Sequence, residues 1–340
     1  MTRALVSIVY FYAGVAKMNE DWIRGEPLAH WMPRRAKHYP VLAPILTSYW
    51  NALAMSWAGL LIDTFLPFMF MVQRLRPLAF LLSFSFHSLN KLFFNIGVFP
   101  FVMACVTTIF FQPDWPRAVW RAVTRQAGAA RADVVHFDRG APLSAAQWRV
   151  LGTLGLFLLW QVAMPLRHHF CCGQVEWNEV GHRFSWRMKL RDKLGQTHFF
   201  VRPNASAAEL QLVNVSKWLT STQADDLIGQ PDTIVQFARH LADELERELK
   251  QRPAVHVLSV CRLNFRTSQL FIDPTADLGA LAARSWVCDV VLPLVPRGVE
   301  AHALFFNKTR TTSNAGRIKA KYDEAVAVVS AFRASESKQR

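Results

Sequence analysis

Val150-Leu-Gly-Thr-Leu-Gly-Leu-Phe-Leu-Leu-Trp160-Gln-Val-Ala-Met-Pro-Leu166 contains no charged residue, and it divides the chain in two. Extended back to Gln147, the segment reaches the ~20 residues that an α-helix needs to cross hydrocarbon. Trp148 and Trp160 suit the membrane–water boundary, where an aromatic ring with a polar edge is stable. Upstream, the residues from Trp50 to Phe111 include only Asp63, Arg74, Arg76 and Lys91 as charges; downstream of Arg167, charges recur every few residues. Such segregation implies two solvents. The predicted fold is a membrane α-helical bundle over residues 1–166, followed by a soluble mixed α/β domain over residues 167–340.

Trp50 to Gln73 is a further candidate span. Pro77 to Phe111 would reach roughly 52 Å as one helix at 1.5 Å per residue. That exceeds a bilayer, so the segment predicts either a strongly tilted helix or two helices broken near Asn90 to Asn95. The apolar stretch Ala4–Ala16 is short for a span, and it runs into Lys17-Met-Asn-Glu-Asp21 without the small-residue cleavage site of a signal peptide. Met18 to Thr47, interrupted by Pro27, Pro33, Pro40 and Pro44, predicts a connection without a long helix. Gln112 to Ala146 reads as an Arg-rich loop.

In the second half, Phe184, Trp186, Met188 and Leu190 alternate with polar residues, as do Cys261, Leu263 and Phe265; both predict strands. Ile234, Phe237, Leu241, Leu245 and Leu249 recur at helical spacing behind the start signals Pro231 and Asp232. A second amphipathic helix is expected from about Arg317 to Arg333.

The net charge of +14 does not indicate nucleic acid, because the basic residues sit in loops beside apolar segments (Arg34, Arg35, Lys37; Arg74, Arg76; Arg117, Arg121, Arg125, Arg131, Arg139). Loop arginines beside spans fit an integral, multi-pass membrane protein in contact with lipid. Cys105, Cys171, Cys172, Cys261 and Cys288 form no metal spacing, so no metal is expected, while a disulfide is compatible with an oxidising compartment. Phosphate loops, H-E-x-x-H and G-x-S-x-G are absent, which removes the common nucleotide and hydrolase readings.

Two polar groupings stand within apolar sequence. On a helix, Tyr10, Ala13, Gly14 and Lys17 share a face, and the small pair lets a flat ring or another helix approach closely. Lys17 reads either as a lysine reaching for the interface at a helix end or as a base, since removing an ammonium from water favours loss of its proton. His87, Asn90 and Lys91 stand at i, i+3 and i+4; at membrane depth they either fix helix packing or contact a ligand. Asp63 is either a partner for one of these cations or a helix-packing acid.

Taken together, these residues resemble the vitamin K-dependent gamma-glutamyl carboxylase family, whose membrane part is the HTTM (horizontally transferred transmembrane) domain. The likeness lies in Tyr10-Phe-Tyr-Ala-Gly-Val-Ala-Lys17-Met-Asn-Glu-Asp-Trp22-Ile-Arg-Gly25, and in Phe86-His87-Ser-Leu-Asn90 followed by Phe94-Asn-Ile-Gly97. It continues in Arg183-Phe-Ser-Trp186, Leu219-Thr-Ser-Thr-Gln223, Pro231-Asp-Thr-Ile-Val-Gln236 and Phe271-Ile-Asp273-Pro274. The resemblance implies that Lys17 is catalytic and deprotonates vitamin K hydroquinone, an isoprenoid quinone in reduced form. Reaction with O2 then generates the strong base that removes a γ-proton from glutamate in a protein substrate, CO2 adds, and the cofactor leaves as its epoxide. By the same resemblance, His87 and Asn90 lie near the quinone or act as packing partners, and Tyr10 and Gly14, on the Lys17 face of their helix, are expected to contact the cofactor. It also places the chain in a bacterial inner membrane, or in the endoplasmic reticulum of a eukaryote. Family members carry membrane helices upstream of the lysine segment, with an Asn-His pair at the active site, so the sequence reads as N-terminally truncated. The alternatives are a quinone epoxidase that does not carboxylate, or a non-catalytic quinone- or lipid-binding membrane protein. A transporter would be expected to show internal repeats, and none is evident.

Overall fold

The computed structural model of the chain describes residues 1–124, 142–170, 173–203, 210–281, 287–297 and 315–339. Two compact units result: Met1–Arg167 with Phe184–Met188, and His168–Arg183 with Lys189–Arg340.

The first unit is helical. Its elements are α1 (Thr2–Ala16), α2 (Glu20–Ile23), α3 (Leu28–Ala36), α4 (Ala43–Leu46), α5 (Tyr49–Met71), α6 (Arg76–Phe93), α7 (Phe99–Val106), α8 (Trp115–Thr124) and α9 (Ala145–Ala163). As the prolines predict, only short helices lie between α1 and α5. The core joins α1, α5, α6 and the α7 region through Val6, Tyr10, Leu66, Phe70, Ala79, Met103 and Phe110, with the rings of Phe70 and Phe110 stacked at 4.5 Å.

The outer faces are also apolar: Trp57, Leu61, Phe65 and Phe68 on α5 and Leu78, Leu81 and Phe84 on α6 are exposed. A bundle bathed in water would carry polar side chains there; hydrocarbon accepts these. Among the described residues, two helices are long and apolar enough to cross a membrane, Tyr49–Met71 and Ala145–Phe170. The second is exposed along most of its length.

Pro77–Phe111 takes the second of its two expected forms, a pair of helices, broken where Phe94 turns extended and Gly97 takes a positive φ of 60°. The Arg-rich segment Gln112–Ala146 is not all loop, because it opens with α8. Arg125, Arg131 and Arg139 lie outside the described residues.

The second unit is built on an antiparallel sheet in the order β2-β1-β3-β4, comprising β1 (Lys193–Arg202), β2 (Gln211–Leu212), β3 (Ala254–Leu263) and β4 (Gln269–Leu270). The long strands pair in register from Lys193 opposite Leu263 to Arg202 opposite Ala254. Around them lie α10 (Val175–Asn178), α11 (Ser221–Asp226), α12 (Pro231–Leu249) and α13 (Ala315–Gln339). Because side chains alternate along a strand, β1 and β3 bury both faces. Phe199, Val257 and Cys261 meet Ile234, Phe237 and Leu241 of α12, while Phe200, Leu258 and Val260 meet Ile318, Tyr322, Ala325 and Val329 of α13. Both predicted amphipathic helices are present, each over one face of the sheet.

The strand expected from Phe184 to Leu190 does not form. Phe184, Trp186 and Lys189 take positive φ (58°, 57° and 52°), so the backbone coils through successive turns and no ladder can form. Burial does not alternate as expected either, with Ser185 inside and Phe184 exposed, although Leu190 is buried. The alternation at Cys261 and Leu263 does belong to a strand, which ends there because Asn264 and Phe265 turn left-handed.

Candidate active site

α1 ends at Lys17, whose side chain folds back into the helical unit and is only 6% exposed. Its Nζ donates to the carbonyl of Ala13 at 3.1 Å and lies 2.6 Å from Oδ2 of Asp63, in the middle of α5. The Trp22 ring closes one side, its centroid 5.3 Å from the nitrogen. Trp22 is itself pinned: its Nε1 donates to the carbonyl of Ser56 at 2.8 Å, and the Ser56 hydroxyl donates back to the carbonyl of Trp22. Gly59 leaves the space these groups need, since a Cβ there would stand 3.5 Å from Trp22 and 3.8 Å from Lys17 Cε.

Lys17 is therefore not a bare buried amine. When both groups are ionised, each charge compensates the desolvation of the other, and loss of either partner then leaves an uncompensated ion in the interior.

Two turns earlier on the same face of α1, the Tyr10 hydroxyl bridges Ser83 Oγ at 2.9 Å and His87 Nε2 at 2.7 Å. Ser83 and His87 are one turn apart on α6, and both are buried. The other ring nitrogen of His87, Nδ1, is buried without a hydrogen-bond partner among the described residues. A phenol donating to Nε2 leaves Nδ1–H as an unused donor; a phenol accepting from Nε2–H leaves Nδ1 as an unused acceptor. In either tautomer one polar ring atom is left without a hydrogen-bond partner among the described residues.

The other residues of the sequence-derived site are placed differently. Asn90 is half-buried and Lys91 exposed, its Nζ 3.4 Å from the carbonyl of Gly97, so the polar trio on α6 splits between inside and outside. Gly14 is a point of close approach, but for α5: a Cβ there would lie 2.3 Å from Thr64 Oγ1 and 2.7 Å from the Thr64 amide nitrogen. The Cβ side of Gly14 is therefore taken by α5. Ser83, Trp22, Ser56 and Gly59 were not singled out from the sequence. Trp22 stands within the family-like block around Lys17, and Ser83 lies one turn ahead of His87.

A second buried lysine lies in the sheet unit. Lys193 Nζ donates to the carbonyls of Trp177 and Gly229 and to Glu179 Oε1 at 3.4 Å, and sits 4.1 Å from the Phe271 ring centroid. Burial outweighs the help of Glu179 and pulls this amine down to about 8. Burial likewise pushes the nearby Cys261 thiol up to about 11, against the pull of Lys193. Asp273, in the Phe271-Ile-Asp273-Pro274 block, is buried and accepts from the Thr275 amide at 2.8 Å, from the Thr275 hydroxyl at 2.6 Å and from Arg333.

Among the described residues, no group of three or more His, Cys, Asp or Glu could hold a metal ion, and Cys105 and Cys261 are free thiols. Cys171 and Cys172 lie outside the described residues.

Comparison with known families accounts for both units. A family model described as the HTTM domain matches residues 1–115, and one described as the vitamin K-dependent gamma-carboxylase lumenal domain matches residues 146–293. The chain belongs to the vitamin K-dependent gamma-carboxylase family. The HTTM match encloses Tyr10, Lys17, Asp63, Ser83 and His87, while the lumenal-domain match begins in α9 and takes in the whole sheet. No solved structure matches the chain.

Proposed function

We propose that the helical unit, as part of a multi-pass membrane protein, binds reduced vitamin K beside Lys17 and His87. The chain then couples oxygenation of that cofactor to γ-carboxylation of glutamate in a protein. One observation carries the reading: a buried amine is held against a carboxylate, while the histidine on the same side of α1 keeps an unpartnered Nδ1. Family membership supplies the identity of the cofactor. These residues fit it, because a hydroquinone offers hydroxyls to both a base and a lone ring nitrogen, and an isoprenoid tail suits apolar helices.

When bound, reduced vitamin K supplies with O2 a base far stronger than any side chain, which the γ-carbon proton requires before CO2 can add. The protein's part is smaller and more exact. Lys17 Nζ, in its neutral form, takes a hydroxyl proton. Asp63 and the Ala13 carbonyl then hold the ammonium so formed, much as a buried carboxylate steadies a protonated base elsewhere. Tyr10 fixes the ring of His87, whose Nδ1 is the polar contact for the cofactor. The apolar, aromatic surroundings exclude water from the oxygen chemistry.

A second reading has its own support. In an ammonium–carboxylate pair the lysine already carries its proton, as expected of a helix clamp in a quinone or lipid binder without chemistry.

The test is epoxide formation by detergent-purified protein given vitamin K hydroquinone and O2, with and without Lys17→Ala. Epoxide that depends on Lys17 supports the enzyme; epoxide unchanged by Lys17→Ala overturns the assigned base. Tight cofactor binding without any epoxide leaves the binder. Labelled CO2 and a glutamate peptide then separate carboxylation from epoxidation alone.

A further inference from the structure

Helix α8 is used by neither the core nor the active site. None of its residues is buried, yet it is not a polar helix. At 100° per residue, Trp115, Ala118, Val119, Ala122 and Val123 fall on one side with Trp120 at its edge, while Arg117, Arg121 and Thr124 fall on the other. The apolar side is open: Val119 is 52%, Trp120 65% and Val123 74% exposed. A helix this short gains little from its own hydrogen bonds and is held by whatever covers its apolar face.

Its surroundings indicate what that cover is. The rings of Phe84 and Phe80 stack at 6.3 Å, Phe80 meets Phe111 edge-on at 5.5 Å, and Phe111 lies 6.0 Å from Trp115. This run of rings leads from the exposed apolar side of α6 to the first turn of α8. Arg3 fixes the junction, donating through Nε to the carbonyl of Ile109 at 2.8 Å and through Nη2 to that of Phe111 at 3.2 Å.

We propose that α8 lies in the plane of the membrane surface and that its partner is an anionic lipid face. Val119, Trp120 and Val123 rest at the acyl boundary, and the exposed Arg117 stands beside headgroup phosphates. Tryptophan, with an apolar body and one N–H, is at home at that depth. A short basic helix with a wide apolar face is the form such in-plane anchors take. This inference is independent of the chemistry at Lys17.

The experiment places a nitroxide at Val123→Cys, Thr124→Cys or Leu151→Cys in the full chain, with Cys105→Ser, in nanodiscs of phosphatidylcholine with or without phosphatidylglycerol. Relaxation by O2, which concentrates in lipid, is compared with relaxation by a water-soluble nickel chelate. The O2-to-nickel ratio at 123 is expected to exceed that at 124 several-fold and to fall when phosphatidylglycerol is withheld or when Arg117→Gln is introduced. A nickel-accessible label at both 123 and 124 overturns the proposal, as does a label at 123 closed to both reagents, the result a second copy or another protein would give. Indifference to phosphatidylglycerol overturns the anionic partner. Leu151 on α9 is the control: lipid access there with water access at 123 sinks this proposal alone, whereas water access at both sinks the membrane placement of the unit with it.

Discussion

The Lys17 amine and the Asp63 carboxylate, 46 residues apart in sequence, meet at 2.6 Å in the interior of the helical unit. They come from different helices, and neither has another charged partner among the contacts described above. Each depends on the other to be buried at all. Removing Asp63 alone (Asp63→Ala) should cost about 3–5 kcal/mol of stability, the range for an orphaned buried charge. The double change Lys17→Met/Asp63→Leu should cost much less. Unfolding of the detergent-solubilised protein measures both, and a double variant as unstable as the single one would show that the pair is not coupled.

Tyr10 bridges two buried polar partners at once, so its hydroxyl should matter more than its ring. Tyr10→Phe strands Ser83 Oγ and His87 Nε2 inside the protein and should destabilise it by about 1–3 kcal/mol. Adding Ser83→Ala to Tyr10→Phe should cost less than the sum of the two single changes, because the groups share one network. A double-mutant cycle by thermal unfolding checks this; strict additivity would contradict the shared network.

Packing of α1 on α5 turns on Gly14. Gly14→Ala would place a methyl group 2.3 Å from Thr64 Oγ1 and 2.7 Å from the Thr64 backbone nitrogen, so α1 must move. The expected cost is about 1–3 kcal/mol, the usual range for overpacking. Thr64→Ala should rescue it only in part, since the backbone clash remains. Gly59→Ala, with its nearest neighbour at 3.5 Å, should be tolerated in comparison. Equal effects at the two glycines would argue against this packing.

The sheet unit should become more stable as pH rises just above neutrality. An unfolded lysine keeps its proton to the ordinary value of 10.5, whereas folded Lys193 loses it at about 8. Between those values the unfolded state binds more protons, so stability rises with pH. The whole effect is on the order of 3 kcal/mol at most. Cys261 opposes it, because the folded thiol keeps its proton to about 11 against an ordinary 9.0, and that contribution falls with pH from about 9 upward. The rise is therefore clean between about pH 8 and about pH 9. Opening free energies of the β1–β3 ladder, from hydrogen exchange across that interval, should increase in the parent protein and stay flat in Lys193→Met. A rise that persists in Lys193→Met would exclude this lysine as its source.

Local patterns carried much of the architecture. The uncharged run from Val150 to Leu166, the apolar stretch from Trp50, the helical spacing behind Pro231 and the prolines between Met18 and Thr47 each have a cause within a few residues, and each became the expected element. Phe184 to Leu190 misled because a period of two arises equally from a strand and from a chain of turns with alternating left-handed residues. Only backbone geometry separates them. α8 was missed because its arginines made an amphipathic helix resemble a loop.

Sequence by itself determined where apolar and polar text divide, which residue types stand at Tyr10, Lys17 and His87, and the family they belong to. Tertiary structure alone decided that Asp63 is the partner of Lys17, that Tyr10 joins Ser83 to His87, and that Gly14 receives Thr64. The physical reason is distance along the chain. Helix and strand patterns follow from neighbours one to four residues away, whereas an ion pair or a hydrogen-bond bridge between helices exists only once packing brings remote segments within 3 Å of each other.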